Sequence, residues 1–331
     1  MLHLSTLVFS LAALKPALMQ GADQQGWFPH EGAPLKYRVN LRFGEELVVP
    51  AAGDLRFSES GSGLPPGWKF GRVSAVASDS AANVYVFHRG KEADPLIVFD
   101  AQGRYLRAWG RGVFGEPHGL RIDKNDNVWT TDVGTHQVMK FSREGKLLLT
   151  LGKKGIPGAD TDTFNRPTDI AFAPGGEFYV SDGYGNSRVV KFSQDGKYLF
   201  AWGKAGTAAG EFHTPHSVAV DAQGTVYVSD RENNRIQIFS SEGKYLRQWT
   251  HLGSTQNLFL TATGQLWILT HRDNIEGGAY NTLGGRVMQV DVASGKILGS
   301  FESPGHWIHV TPAGLIFIGS LTGNVFRWSP D

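Results

Sequence analysis

The 331-residue sequence contains no cysteine, which excludes disulfide bonds, thiolate nucleophiles and cysteine-held metals. Any metal ion has to be held by histidine, carboxylate or backbone oxygen. An excess of one charge is lacking too: 32 Lys and Arg stand against 31 Asp and Glu, a formal +1. There is no basic block and no Lys/Arg stripe interleaved with aromatics, so nucleic acid is not an expected partner. Long hydrophobic runs are missing as well. The apolar stretch across residues 4–14, in MLHLSTLVFSLAALKPALMQG, is too short to span a membrane, and no later segment qualifies. With no basic region before it and Lys15 just after it, residues 1–20 read either as a cleaved export signal or as an N-terminal helix or extension. The first reading puts the mature protein in the periplasm or outside the cell, the second in the cytoplasm.

What is abundant is glycine, at 42 residues, and aromatic side chains, at 9 Trp, 9 Tyr and 20 Phe. Turns and aromatic packing at this density fit many short strands better than long helices. One unit recurs from about residue 70 to 329: an apolar run, a polar turn with Gly or Asn, a second apolar run, often Asp, then a strand ending in Phe. Examples are PTDIAFAPGGEFYVSDGYGNSRVVKF (167–192) and PHSVAVDAQGTVYVSDRENNRIQIF (215–239). Val76, Leu120, Ile170, Val218, Leu258 and Ile308 are equivalent, with spacings between 40 and 50 residues. Four short strands cannot bury both faces of a sheet alone, and radial packing solves that while protecting the sheet edges. The expectation is an all-β, six-bladed β-propeller over 70–331. Residues 21–69 form an N-terminal segment in which YRVNLRFGEEL (37–47) supplies a closing strand and GSGLPPGW (61–68) a loop. The wording G-x-x-Y-V-x-D-x-x-N-x-R-I/V-x-x-F resembles the NHL-repeat family.

Two residues before each reference position stand Ser74, His118, Thr168, His216, Gln256 and His306. Histidine thus occupies blades 2, 4 and 6, which six-fold pseudo-symmetry sets about 120° apart around the channel. Three imidazoles converging on one point suit Zn²⁺ with a fourth position open. A Pro-His pair can also simply bond a neighbouring loop, and His309 is a rival to His306 because it lies three residues further along the same strand. Arg89 in FHRG and Arg231 in SDREN share one register, in opposite blades; two guanidiniums there fit a carboxylate ligand, or else ordinary ion pairs. Tyr184, between Gly183 and Gly185, is either a packed turn residue or a phenol that acts as a base beside a metal and a guanidinium. Arg188 and Arg235 read as repeat scaffold paired to Asp182 and Asp230.

Taken together, FHRG, PHGL, FNRPTDIAF, VSDGYGNSR, PHSVAV and SDRENNRIQ, spread over residues 87–238, resemble the lyase domain of peptidyl-glycine alpha-amidating enzymes. That resemblance implies a propeller holding zinc through His118, His216 and His306. It also implies Arg89, Arg231 and Tyr184 as substrate-binding and catalytic residues, and cleavage of a peptidyl-α-hydroxyglycine to an amide and glyoxylate. The partner is then a small molecule or peptide with a terminal carboxylate. In that family an Asp follows the third His and helps hold calcium; here Trp307 follows His306, so a Ca²⁺ site using the Val76 and Leu120 carbonyls is left without its carboxylate. A metallo-lyase or hydrolase of other specificity, and a non-catalytic NHL propeller that binds protein or peptide, are the alternatives.

Overall fold

The computed structural model describes residues 37–39, 64–68, 71–270, 285–303 and 305–330. The candidate export segment, residues 1–20, lies outside the described residues. Among the described residues there are six four-stranded antiparallel sheets, as the repeats imply. Among the described residues the only helical turn is Arg231–Asn233, and no helix is long and apolar enough to cross a membrane.

The first strands of blades 1 to 6 are Val73–Ser78, Pro117–Ile122, Asp169–Phe172, Pro215–Val220, Thr255–Leu260 and Trp307–Val310. Each touches the first strands of the blades on both sides, so the six close a ring around the central channel. The reference positions Val76, Leu120, Ile170, Val218, Leu258 and Ile308 are all at most 1% exposed. Burying each such side chain contributes about 1.5–3 kcal/mol. Blade 6 is a composite: Tyr37–Val39 pairs antiparallel with Val325–Pro330, so two distant parts of the chain share one sheet.

Local chemistry sets the turns. Asp79, Asp123 and Asp221 each accept the backbone N–H groups two and four residues ahead, which folds the hairpin between the first two strands. Blade-to-blade contact uses a second recurrent device. The indoles of Trp109, Trp202 and Trp249 lie on Gly145, Gly243 and Gly295 of the following blade, where a Cβ would come within 2.8, 2.8 and 2.6 Å of the ring. The repeated turn glycine therefore leaves room for the neighbour's tryptophan.

The feature that matters for the channel is a break in the inner ladder. Register slips between Val73 and Ala75, Pro117 and Leu120, Pro215 and Ser217, and Thr255 and Asn257. Ser74, His118, His216 and Gln256 fall in those slips and have no cross-strand partner. A bulge turns its extra residue out of the pleat, and here it brings these side chains to the axis.

Candidate functional site

His118, His216 and His306 meet on the axis, all buried, with one ring nitrogen from each within 4.8 Å of the others. Ring centroids are 4.9, 4.9 and 5.3 Å apart. Each Nδ1 donates to a backbone carbonyl of the next blade: His118 to Thr168 at 2.7 Å, His216 to Gln256 at 2.5 Å and His306 to Ser74 at 2.7 Å. Those acceptors occupy the histidine register of blades 3, 5 and 1, so the blades without histidine orient the rings of the blades with it. A hydrogen bond on Nδ1 fixes the tautomer and leaves the Nε2 lone pair for a ligand. Burial holds His118 and His216 well below the usual imidazole range, with neighbouring histidine and arginine charge acting in the same direction. Burial thus favours the neutral form of these two rings, the form that metal ligation requires. This donor set fits a metal ion.

Tyr184 completes the focus. Its hydroxyl lies 3.1 Å from Nε2 of His118 and 2.9 Å from Nε2 of His216. The flanking glycines make that reach feasible: a side chain at 183 would run into the Pro215 carbonyl, and one at 185 into Asn165. Arg231 directs one terminal nitrogen to the Tyr184 hydroxyl and the Gln256 side chain, both at 3.4 Å, and the rest of its fork to Glu232 at 2.8 Å. Arg89 gives Nε to Ser74 Oγ at 2.8 Å and the Pro117 carbonyl at 2.9 Å, and a terminal nitrogen to Glu116 at 2.5 Å. Six residues singled out from the sequence thus gather around one channel mouth.

Comparisons with known proteins bear on the repeats and the fold. The NHL repeat model matches residues 114–141, 164–192 and 212–239. These three segments carry NHL repeats. Its relatives include Mus musculus peptidyl-glycine alpha-amidating monooxygenase, 40% identical over 195 residues, covering 49% of this chain and 20% of that protein. Drosophila melanogaster peptidyl-alpha-hydroxyglycine alpha-amidating lyase 1 is 38% identical over 162 residues, 41% of this chain and 30% of that protein. The chain thus spans a third or less of these relatives. Among solved structures, a streptogramin B lyase superposes with a TM-score of 0.57 over 81% of this chain and 96% of that one; at 13% identity it shares the fold alone.

Three features of this propeller are not legible in the histidine pattern. The first concerns His309. Its Nε2 sits 2.7 Å from Ser78 Oγ and accepts the Ser78 N–H at 3.2 Å, while its ring packs on Phe259, so it belongs to the blade 6–blade 1 seam and not to the trio.

The second is the channel floor. Trp307 is fully buried, and its indole presses on Gly119, where a Cβ would come within 3.0 Å. Arg121 lies beneath it, 4.6 Å from the indole. Its fork is bidentate to Asp169 at 2.9 and 2.7 Å and also donates to the Leu258 carbonyl at 2.8 Å. Calcium takes six to eight oxygens; an indole and a guanidinium at this level do not fit it. Arg121→Ala removes the counter-ion of the buried Asp169 carboxylate, which keeps donors only from Ser217 Oγ and the Ile170 N–H at short range, and is expected to cost about 3–5 kcal/mol of stability, read by denaturant titration. Wild-type melting temperature is expected to be the same in calcium and in EGTA. A rise with calcium would contradict this account of the floor.

The third is His88. In blades 2, 3 and 4, Asp132, Asp182 and Asp230 end the second strand and accept N–H groups of the loop entering that blade: Glu116 at 3.0 Å, Asn165 at 2.9 Å and His213 at 2.7 Å. Asp182 and Asp230 also pair with Arg188 and Arg235 at 2.9 and 2.7 Å. Blade 1 carries His88 in that register, and its Nδ1 accepts Gly90 N–H at 2.9 Å and Gly71 N–H at 3.3 Å. Burial pushes His88 down to about 4, so the ring stays a neutral acceptor. The histidine of FHRG thereby fixes the turn that aims Arg89.

Proposed function

We propose that the chain is a zinc-dependent lyase that cleaves the C–N bond of a peptidyl- or acyl-α-hydroxyglycine to an amide and glyoxylate. The observation that carries this reading is the Tyr184 hydroxyl, held within hydrogen-bond reach of two of three converging imidazoles and beside the Arg231 guanidinium. That arrangement pairs one proton-transfer group with a metal-binding trio and a cation, which is what collapse of an N-acyl hemiaminal needs. The names of the relatives point the same way.

A zinc ion held by His118, His216 and His306 supplies Lewis acidity toward the substrate's α-hydroxyl. Tyr184, entering the step as tyrosinate, removes the hydroxyl proton at Oη as general base and returns it to the amide nitrogen as that nitrogen departs. The carbinol carbon becomes the aldehyde of glyoxylate, the C–N bond electrons stay with the nitrogen, and no water or redox partner is consumed. Arg231 offsets negative charge at the oxygen as it develops. Arg89 adds to the positive field at the mouth. Thr168, Gln256 and Ser74, through their carbonyls, keep the imidazoles aimed.

The test uses the full chain loaded with zinc and N-benzoyl-α-hydroxyglycine. Benzamide and glyoxylate are expected in equal amounts, well above the spontaneous rate, with none from N-benzoylglycine. Glyoxylate at the spontaneous rate only would overturn the lyase reading; hydrolysis of other esters or amides would then mark a metallohydrolase, and inertness a binding propeller.

A further inference from the structure

We infer that Arg166 is the specificity residue of this site, the guanidinium that takes the substrate's free carboxylate. The inference rests on the lyase reading above and changes the division of labour among the arginines.

The first step is to ask which guanidinium has donors to give. Arg89 has committed Nε and one terminal nitrogen to Ser74, Pro117 and Glu116, and its side chain is only 18% exposed. Arg231 has committed Nε and both terminal nitrogens to Glu232, Tyr184 and Gln256. Arg166 differs from both. Among the described residues its guanidinium makes no hydrogen bond, its nearest carboxylate is Glu116 at 3.9 Å, and its side chain is 46% exposed. Yet it is not remote: it stands 5.3 Å from the centroid of the Tyr184 ring, the same distance as Arg231. Arg89 is paired with Glu116 at 2.5 Å and Arg231 with Glu232 at 2.8 Å, whereas Arg166 has Glu116 only at 3.9 Å, so of these three guanidiniums Arg166 is the one placed to take a carboxylate on the ligand.

The backbone shows why that side chain is presented. Arg166 has φ +62°, a left-handed conformation that non-glycine residues rarely adopt. Its N–H is held by His136 Nδ1 at 3.1 Å, and its carbonyl accepts the Tyr184 N–H at 3.4 Å. The preceding residue, Asn165, is pinned by Asp182. The main chain at 166 is therefore tied directly to the main chain at 184, while the guanidinium is left to swing. A fixed root with an uncommitted fork beside the reactive phenol is the arrangement of a ligand clamp, and the planar fork matches a carboxylate bidentately.

The measurement compares wild type, R166A and R166K with N-benzoyl-α-hydroxyglycine and its methyl ester. Loss of one charge-assisted contact predicts a rise in KM of about 10–100-fold for R166A on the acid, with kcat changed less than about threefold and zinc content equal. R166K is expected to recover part of the loss, and R166A to lose the preference for acid over ester. An unchanged KM, a fall in kcat alone, or equal KM increases on acid and ester would each overturn the assignment. If wild type releases no glyoxylate, calorimetry with N-benzoylglycine separates the two ideas. Binding that R166A loses upholds the carboxylate subsite although the lyase reading fails; binding that R166A retains, or none in wild type, overturns it.

Discussion

Replacing His118 and His216 together by alanine is expected to abolish metal binding, taking zinc content from about one ion per chain to none. Elemental analysis of protein purified without a metal-affinity step reads the result. The double change removes two of three ligands; a single change leaves two imidazoles that still retain some zinc. It also takes a donor from each of the buried Thr168 and Gln256 carbonyls, of which Thr168 keeps Thr131 Oγ1, so the larger cost, about 1–3 kcal/mol, falls at Gln256. Circular dichroism must therefore show that the propeller persists, and His118→Gln with His216→Gln, which keeps side-chain donors near those carbonyls, is the companion variant. His309→Ala is the control, since that ring serves Ser78 and is expected to leave metal content unchanged. Wild-type protein that carries no metal and takes up none on titration would sink the metal-centre reading.

Much of this site is legible in the sequence because a propeller turns sequence register into angular position. His118, His216 and His306 stand in one register in alternate blades, and six-fold closure makes them converge. What is not legible depends on groups without a side-chain signature. The carbonyls of Ser74, Thr168 and Gln256 are invisible in a residue pattern, so blades 1, 3 and 5 look empty where they in fact orient the imidazoles. The bulges that turn His118 and His216 to the axis are a backbone slip, with only the preceding Pro to hint at them. Arg121 reads as an ordinary strand residue until ring closure sets it against Asp169 and Leu258, 48 and 137 residues away. His88 had a signal, a histidine where blades 2, 3 and 4 carry the pinning aspartate. Arg166 had a weaker one, a long cation immediately before the Pro that opens the inner strand, in a position where Thr214 takes the same φ of +62°.

Tyr184→Phe is expected to lower the rate of glyoxylate release by about 10²–10⁴-fold, the range for loss of a general acid–base group, while zinc content and KM stay near wild type. The reasoning is geometric. Phenylalanine keeps the ring that lies 5.3 Å from both the Arg166 and the Arg231 guanidinium, and the edge contacts to His118 and His216 at 5.1 and 5.3 Å. Only the oxygen at the focus of the trio is removed. A large fall in kcat with metal retained therefore isolates proton transfer from metal binding, and a fall in zinc content instead would make Tyr184 a structural prop. Arg231→Ala sharpens the test, because its terminal nitrogen addresses that same hydroxyl. If the two residues act on one proton and one developing charge, the Tyr184→Phe and Arg231→Ala double variant loses less than the product of the single losses. Fully multiplicative losses would mean that Arg231 works elsewhere, and the oxygen of Tyr184 would then have to carry the proton without it.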